Sequence, residues 1–308
     1  MAAGITMNRA QFTDLFVDRL PFLDEILYEN YDAPSLTYTD VFNVRDSSRA
    51  YEEITQISGF DQFPEKTEGA NVTYDKLLQG FNKRYTHLTY AKGFQISMEA
   101  MEDDIDGAIT DAAPALARVA RNSIETEAFS DFNNGFSSVT TPDGKALFAA
   151  SGAATGHTLV GGGTFGNLVA GDLAQATLES AINIFDDMRD DRNQLIELDA
   201  QILLYPPELR WLVHELLKSQ LRSDTANNAE NSLNQIGLKT VMSKYLTGDD
   251  DWFVLSDSSR HRLMFYWRME PATDHTLDFD SGNMKSKMTF RFSHGPADWR
   301  GLVGGQGA

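Results

Sequence analysis

The sequence predicts an α+β fold, and three observations carry that prediction. Strand-like runs with partial alternation occupy Ala50–Ser58 and Arg84–Ser97, a long helical stripe begins near Asp111, and four further strand-like runs with turn clusters between them fill the carboxy-terminal quarter. Strands and helices of such different lengths imply packed layers around one or two cores.

Taken in order, the first 45 residues join an amphipathic cluster (Phe12, Leu15, Phe16, Leu20, Leu23) to an irregular extended segment, and this stretch reads as an arm. AYEEITQIS (Ala50–Ser58) and RYTHLTYAKGFQIS (Arg84–Ser97) flank a polar, Gly-containing stretch and predict a protruding two-stranded hairpin. A lone hairpin has little core of its own and is marginal without partners. The helix is expected over about 111–134, with Pro114 tolerated in its first turn. Leu116, Ala120, Ile124, Ala128, Phe132 and Phe136 recur every four residues and trace one apolar stripe along it.

Thr140–Asn167 is rich in Gly, Ala and Thr and reads as turns around short strands. Asp172 is placed to cap a further helix, with Gln175 in capping-box position and Leu178, Ile182, Phe185 and Met188 as its apolar face. In QILLYPPELRWLVHELLKS (Gln201–Ser219) a short apolar strand meets Pro206-Pro207, which forces the chain out of the strand and starts a helix. Leu209, Leu212, Val213, Leu216 and Leu217 define the helix face to bury, with Trp211 among the residues expected to hold this junction together. Asp224–Asn234 is polar and reads as a loop. LKTVMSKYL, DWFVLSD, HRLMFYWRM and MKSKMTFRFS follow as strands, and the closing GGQGA reads as a frayed tail.

Composition narrows function. At 308 residues the chain can bury a substantial core as one elaborated domain or two joined ones. A formal charge of −19 argues against the basic footprint of nucleic-acid binding and against adhesion to anionic membranes. With no cysteine, disulfides and thiolate metal sites are excluded, so stability must come from packing and assembly. No basic-then-apolar leader and no 18-residue apolar run occurs.

Gly161, Gly163 and Gly166 have dinucleotide-fingerprint spacing with Asp186 beyond, yet GHTLV is a poor strand and no helix opens at once, so a glycine-rich loop is preferred. The acidic groups Asp103, Asp104 and Asp106, Asp249 to Asp251, and Asp278 and Asp280 with Gly282 invite a hard cation, but none continues into a full calcium loop. His87, His157, His214, His261, His275 and His294 make no HExxH pair, and no serine lies in a GxSxG elbow. The aromatics Trp252, Phe253, Phe265, Tyr266 and Trp267 are expected to pack a sheet core rather than stack bases, because basic residues to track phosphates are missing. The expectation is no catalytic, cofactor-binding or metal residue and no cofactor.

The order of parts resembles the tailed-phage major capsid proteins of the HK97-like fold, in detail the branch typified by phage Mu. Four segments carry the resemblance: GFQISMEAMEDDIDG (Gly93–Gly107), DGKALFAAS (Asp143–Ser151), QILLYPPELRWLVHELLKS, and NQIGLKTVMSKYLTGDDDWFVLSD (Asn234–Asp257). The resemblance implies an amino-terminal arm at 1–48, an extended hairpin called the E-loop at 49–97, a first P-domain part with a spine helix at 98–170, an A-domain at 171–270, and a returning P-domain part with the tail at 271–308. It implies a major head protein that self-assembles into hexamers and pentamers of an icosahedral shell around double-stranded DNA, in the virion after assembly in the host cytoplasm. Portal, scaffolding and cement proteins are the implied partners, with no sequence-specific DNA contact and no membrane. An encapsulin-like compartment shell is the alternative, and a metal- or nucleotide-dependent enzyme the alternative from another class.

Overall fold

The computed structural model describes residues 36–307 except 70, 78, 98–104, 161, 220–231, 279–280 and 282. Most of the expected arm, with its cluster from Phe12 to Leu23, lies outside the described residues. The described chain falls into two compact units, one drawn from 87–125 and 267–292, the other from 37–86, 126–266 and 293–307.

The larger unit centres on a five-stranded sheet of order β7-β13-β10-β8-β9, formed by β7 (Leu168–Ala170), β8 (Ile202–Tyr205), β9 (Lys239–Met242), β10 (Trp252–Leu255) and β13 (Leu302–Gln306). β10 is antiparallel to both β8 and β13, while β8–β9 and β7–β13 are parallel. Every residue of β8 and β10 is buried, as their unbroken apolar runs predict for strands covered on both faces. Alternation decides which face each side chain serves. Trp252 and Val254 join a core with Leu178, Phe185, Val213 and Leu217 from two helices, Gln175–Asp186 and Arg210–Lys218. Phe253 points the other way, with its ring centroid 5.0 Å from Phe132 and 5.1 Å from Phe148.

The Pro-Pro junction forms as the sequence predicts. β8 ends at Tyr205, Pro207 opens a short 3₁₀ turn to Leu209, and the helix Arg210–Lys218 follows. Leu209, Val213 and Leu217 are buried, Leu212 and Leu216 only partly so. Trp211 is 79% exposed, so it does not hold this junction together.

β2 (Tyr51–Ile57) and β3 (Gln79–Thr86) form a two-stranded antiparallel sheet of their own, with a register shift between Thr55 and Ile57. The second strand expected at Arg84–Ser97 is in fact two. The chain breaks at His87, and β4 (Leu88–Ile96) pairs antiparallel with β12 (Met284–Pro296) instead of with β2. In the smaller unit this pairing runs from Met284 opposite Ile96 to Phe292 opposite Leu88 and stacks Tyr90 on Phe290 and Phe292, at 5.6 and 5.0 Å. β11 (Leu263–Leu277) runs well beyond the segment that announced it, and β12 continues three residues further, to Pro296.

Three further expectations change. The long helix spans Ile105–Asn133 and carries Pro114 inside it, not in its first turn. Its stripe from Leu116 through Ala120, Ile124, Ala128 and Phe132 is buried as predicted. The helix after Asp172 starts at Gln175 with Ala174 as its cap. Thr177 accepts the Ala174 N–H at 2.8 Å and donates to the Asp172 carbonyl at 2.8 Å, so threonine does the work assigned to Asp172 and Gln175. Of the polar loop, 224–231 lies outside the described residues and Ser232–Ile236 is helical.

The tail is the largest correction. Gly304, Gly305 and Gln306 belong to β13, inside the main sheet, and the two glycines are buried. A Cβ on Gly305 would come within 2.0 Å of the Trp252 ring, and one on Gly304 within 2.6 Å of Phe148. Glycine is here a requirement of close approach, not a sign of fraying.

Candidate assembly surfaces

The sequence offered no catalytic candidate, and the residues it weighed are scattered by the fold. Gly163 and Gly166 flank β6 (Thr164–Phe165), which pairs with β5 (His157–Thr158) in a small hairpin rather than opening a helix. Gly161 lies outside the described residues, as do Asp103, Asp104, Asp280 and Gly282. Asp278 accepts an ion pair from Lys285 at 2.7 Å. Asp249 to Asp251 precede β10, where burial raises the Asp251 carboxyl above its ordinary range against a hydrogen bond from the Gly307 N–H. Among the described residues no three His, Asp or Glu side chains converge as metal ligands would.

Two histidine–carboxylate pairs do form, and spacing gave no sign of either. His157 Nδ1 lies 3.0 Å from Asp143 Oδ2, and its Nε2 lies 3.1 Å from Asn167 Oδ1 and 3.3 Å from the Leu147 carbonyl. Its ring stacks on Trp299 at 4.7 Å. Burial works to raise the Asp143 carboxyl, but hydrogen bonds from His157, Thr141 and the Lys145 N–H outweigh it and hold it at about 2. With His157 wholly buried and both ring nitrogens occupied, this is a structural clip with no face for a substrate. Asn167 extends it by donating to the Leu147 and Leu302 carbonyls at 2.9 and 3.0 Å, which ties the glycine-rich segment to β13. His294 pairs with Asp131 at 2.8 Å.

What the fold presents to solvent is apolar surface in unusual places. Between β2 and β3, Phe63 is fully exposed and Tyr74 is 90% exposed, with Phe60, Val72 and Leu77 also open. Trp211 stands out from its helix in the same way. Exposed aromatic residues of this kind mark interaction surfaces. The hairpin tip is held by a polar contact to its own unit. Arg192, itself 14% exposed, reaches Asp61 Oδ2 at 3.1 Å, the Lys76 carbonyl at 2.6 Å and Asp75 Oδ1 at 3.5 Å. Gln194 donates to the Phe60 carbonyl at 3.0 Å, and Gln56 to Asp191 at 2.8 Å. Asp191 is fixed in turn by Arg300 at 2.9 Å.

The phage capsid protein family matches residues 82–304, which is more than two-thirds of the chain. The chain belongs to the phage capsid protein family. Solved structures agree on the fold. The capsid of the native GTA particle superposes with a TM-score of 0.62 at 11% identity, covering 89% of this chain and 91% of that one. A chain from Mycobacterium phage Adephagia gives 0.56 at 13% identity, covering 89% and 91%. The capsid of bacteriophage JBD30 gives 0.55 at 15% identity, covering 70% and 92%. No curated protein matches the chain in sequence. The mixed α+β architecture is therefore that of solved phage capsids, and family membership gives the chain's work as that of a phage major capsid protein. The encapsulin-like alternative is not favoured.

Proposed function

We propose that the chain is the major head subunit of a tailed phage, forming hexamers and pentamers that tile an icosahedral shell around double-stranded DNA, and that it carries no enzymatic activity. The match over 82–304 carries this proposal. The β2–β3 hairpin serves as the E-loop within 49–97, and its open aromatic tip supports contact with a neighbouring copy. The helix Ile105–Asn133 serves as the spine helix of a P-domain made of 98–170 and 271–308. The segment 171–270, with the Pro-Pro junction, forms the A-domain, and 1–48 forms the arm. Ring closure by heterologous contacts between such subunits gives capsomers.

Assembly takes place in the host cytoplasm, with portal, scaffolding and cement proteins as partners. The shell's hold on packaged DNA is weak, because an excess of carboxylates leaves few cations to displace phosphate counterions. Expression followed by negative-stain microscopy tests the proposal, with rings, tubes or closed shells as the expected outcome. A monodisperse monomer at high concentration would overturn it. Native particles holding a protein cargo instead of DNA would return the choice to the compartment alternative.

A further inference from the structure

The tip contacts of Arg192 are not needed to build the core, and that makes them informative. A guanidinium that is 14% exposed gathers two carboxylates and a carbonyl from residues 61, 75 and 76, more than a hundred positions away in sequence. Its own turn is fixed from behind. Asp190 Oδ1 accepts the Arg192 and Gln194 N–H groups at 2.8 Å each, and Met188 and Leu198 at the two ends of this stretch sit in the main core. The tip is closed across itself as well, since the Asp61 N–H donates to Asp75 Oδ2 at 2.8 Å. The Asp61 and Asp75 carboxylates and the Phe60 and Lys76 carbonyls are thus engaged within the subunit, while Phe63 and Tyr74 stay open.

We infer that Arg192 is a positioning residue for assembly, a clasp that sets the hairpin tip on its own subunit before a second copy arrives, so that Phe60, Phe63, Val72 and Tyr74 meet that copy already ordered. This rests on the E-loop assignment proposed above. A long two-stranded hairpin free at its tip would lose much conformational entropy on docking, and a tip ordered in advance loses less. Arginine suits the role because its planar fork serves several acceptors at once, which a lysine ammonium cannot do with the same geometry.

The test uses the full chain, with Arg192→Gln, Asp61→Asn, the double variant and Arg192→Lys. Hydrogen exchange on unassembled subunits should show the 58–78 segment exchanging roughly tenfold faster in Arg192→Gln, while β8 and β10 keep their protection. Particle formation followed by light scattering should slow in both single variants and slow no further in the double, with Arg192→Lys restoring only part of the rate. A merely structural role would lower the thermal midpoint and slow assembly only as far as the folded fraction falls, while the double variant tests whether the two side chains act through one contact. Unchanged tip exchange in Arg192→Gln overturns the clasp, and faster exchange with a normal assembly rate overturns the positioning role. If Arg192→Gln proves insoluble, Asp61→Asn, at a carboxylate that is 60% exposed, gives the same readouts. Particles in which the tip touches no neighbour would sink the E-loop assignment and leave the exchange result standing.

Discussion

At the scale of single residues, the tightest constraint is at Gly305, packed beneath Trp252. A methyl group there has no room, and the Trp252 indole, which donates to the Gly171 carbonyl at 3.2 Å, cannot swing aside without losing that bond. Gly305→Ala is expected to destabilise the subunit by about 1–3 kcal/mol, read as a drop in the urea midpoint. An undiminished midpoint would mean that Trp252 repacks freely. The buried histidines bear on pH in opposite senses. Burial lowers His261 to about 4, opposed by the nearby Val41 carbonyl and the charge of Asp257. The unfolded side chain takes its proton near 6.5, so this contribution is complete above that pH and fades as pH falls toward 4, by about 3 kcal/mol. At His294 burial again favours the neutral form, but the Asp131 carboxylate prevails and raises it. Its contribution is complete below pH 6.5 and lost as pH rises through the folded value. Stability of unassembled subunits should therefore fall between pH 6.5 and 4, and His261→Gln should flatten that limb. An unchanged slope in His261→Gln would place the acid sensitivity elsewhere.

At the scale of elements, the helix Arg210–Lys218 separates folding from assembly. The sequence placed Leu212 on the buried face with Val213, whereas Leu212 is only partly covered and Val213 is 2% exposed. Val213→Asp is expected to cost about 3 kcal/mol or more and to leave little soluble protein, with Leu212→Asp clearly milder. Trp211→Ala should leave the melting temperature within about 1 °C, because its ring touches mainly solvent. The same change should raise the concentration at which particles appear by roughly tenfold or more, as loss of an aromatic hot spot does. Particles forming at the wild-type threshold would show that Trp211 faces outward in the shell. Elements with unbroken periodicity were legible, as β8, β10 and the stripe of the long helix attest. Elements set by distant partners were not. Nothing local tells that β4 leaves the hairpin for β12, or that two glycines near the terminus enter a sheet because Trp252 and Phe148 need the space. His157 and Asp143 meet only after the chain folds through two turns, and Arg192 meets Asp61 across 131 positions, so no motif could have announced either.

At the scale of the whole molecule, charge bears on how copies come together. Each subunit carries a formal −19, and a shell concentrates that charge many times over. Charge and packing together set the conditions of assembly. In the proposed assembly the exposed apolar tips and Trp211 would supply attraction at contact, while repulsion between acidic subunits acts at longer range and is screened by salt. Raising ionic strength from roughly 0.05 to 0.5 M shortens the screening length from more than 10 Å to a few ångströms, which should weaken repulsion more than it weakens contacts that exclude water. The Arg192 bond to the Lys76 carbonyl should survive that change better than its pair with Asp61, whose carboxylate is 60% exposed. Light scattering on purified subunits is thus expected to show the assembly threshold falling as salt rises, with tip exchange little altered. A threshold that climbs with salt would mean that ion pairs between copies, rather than apolar burial, hold the shell together.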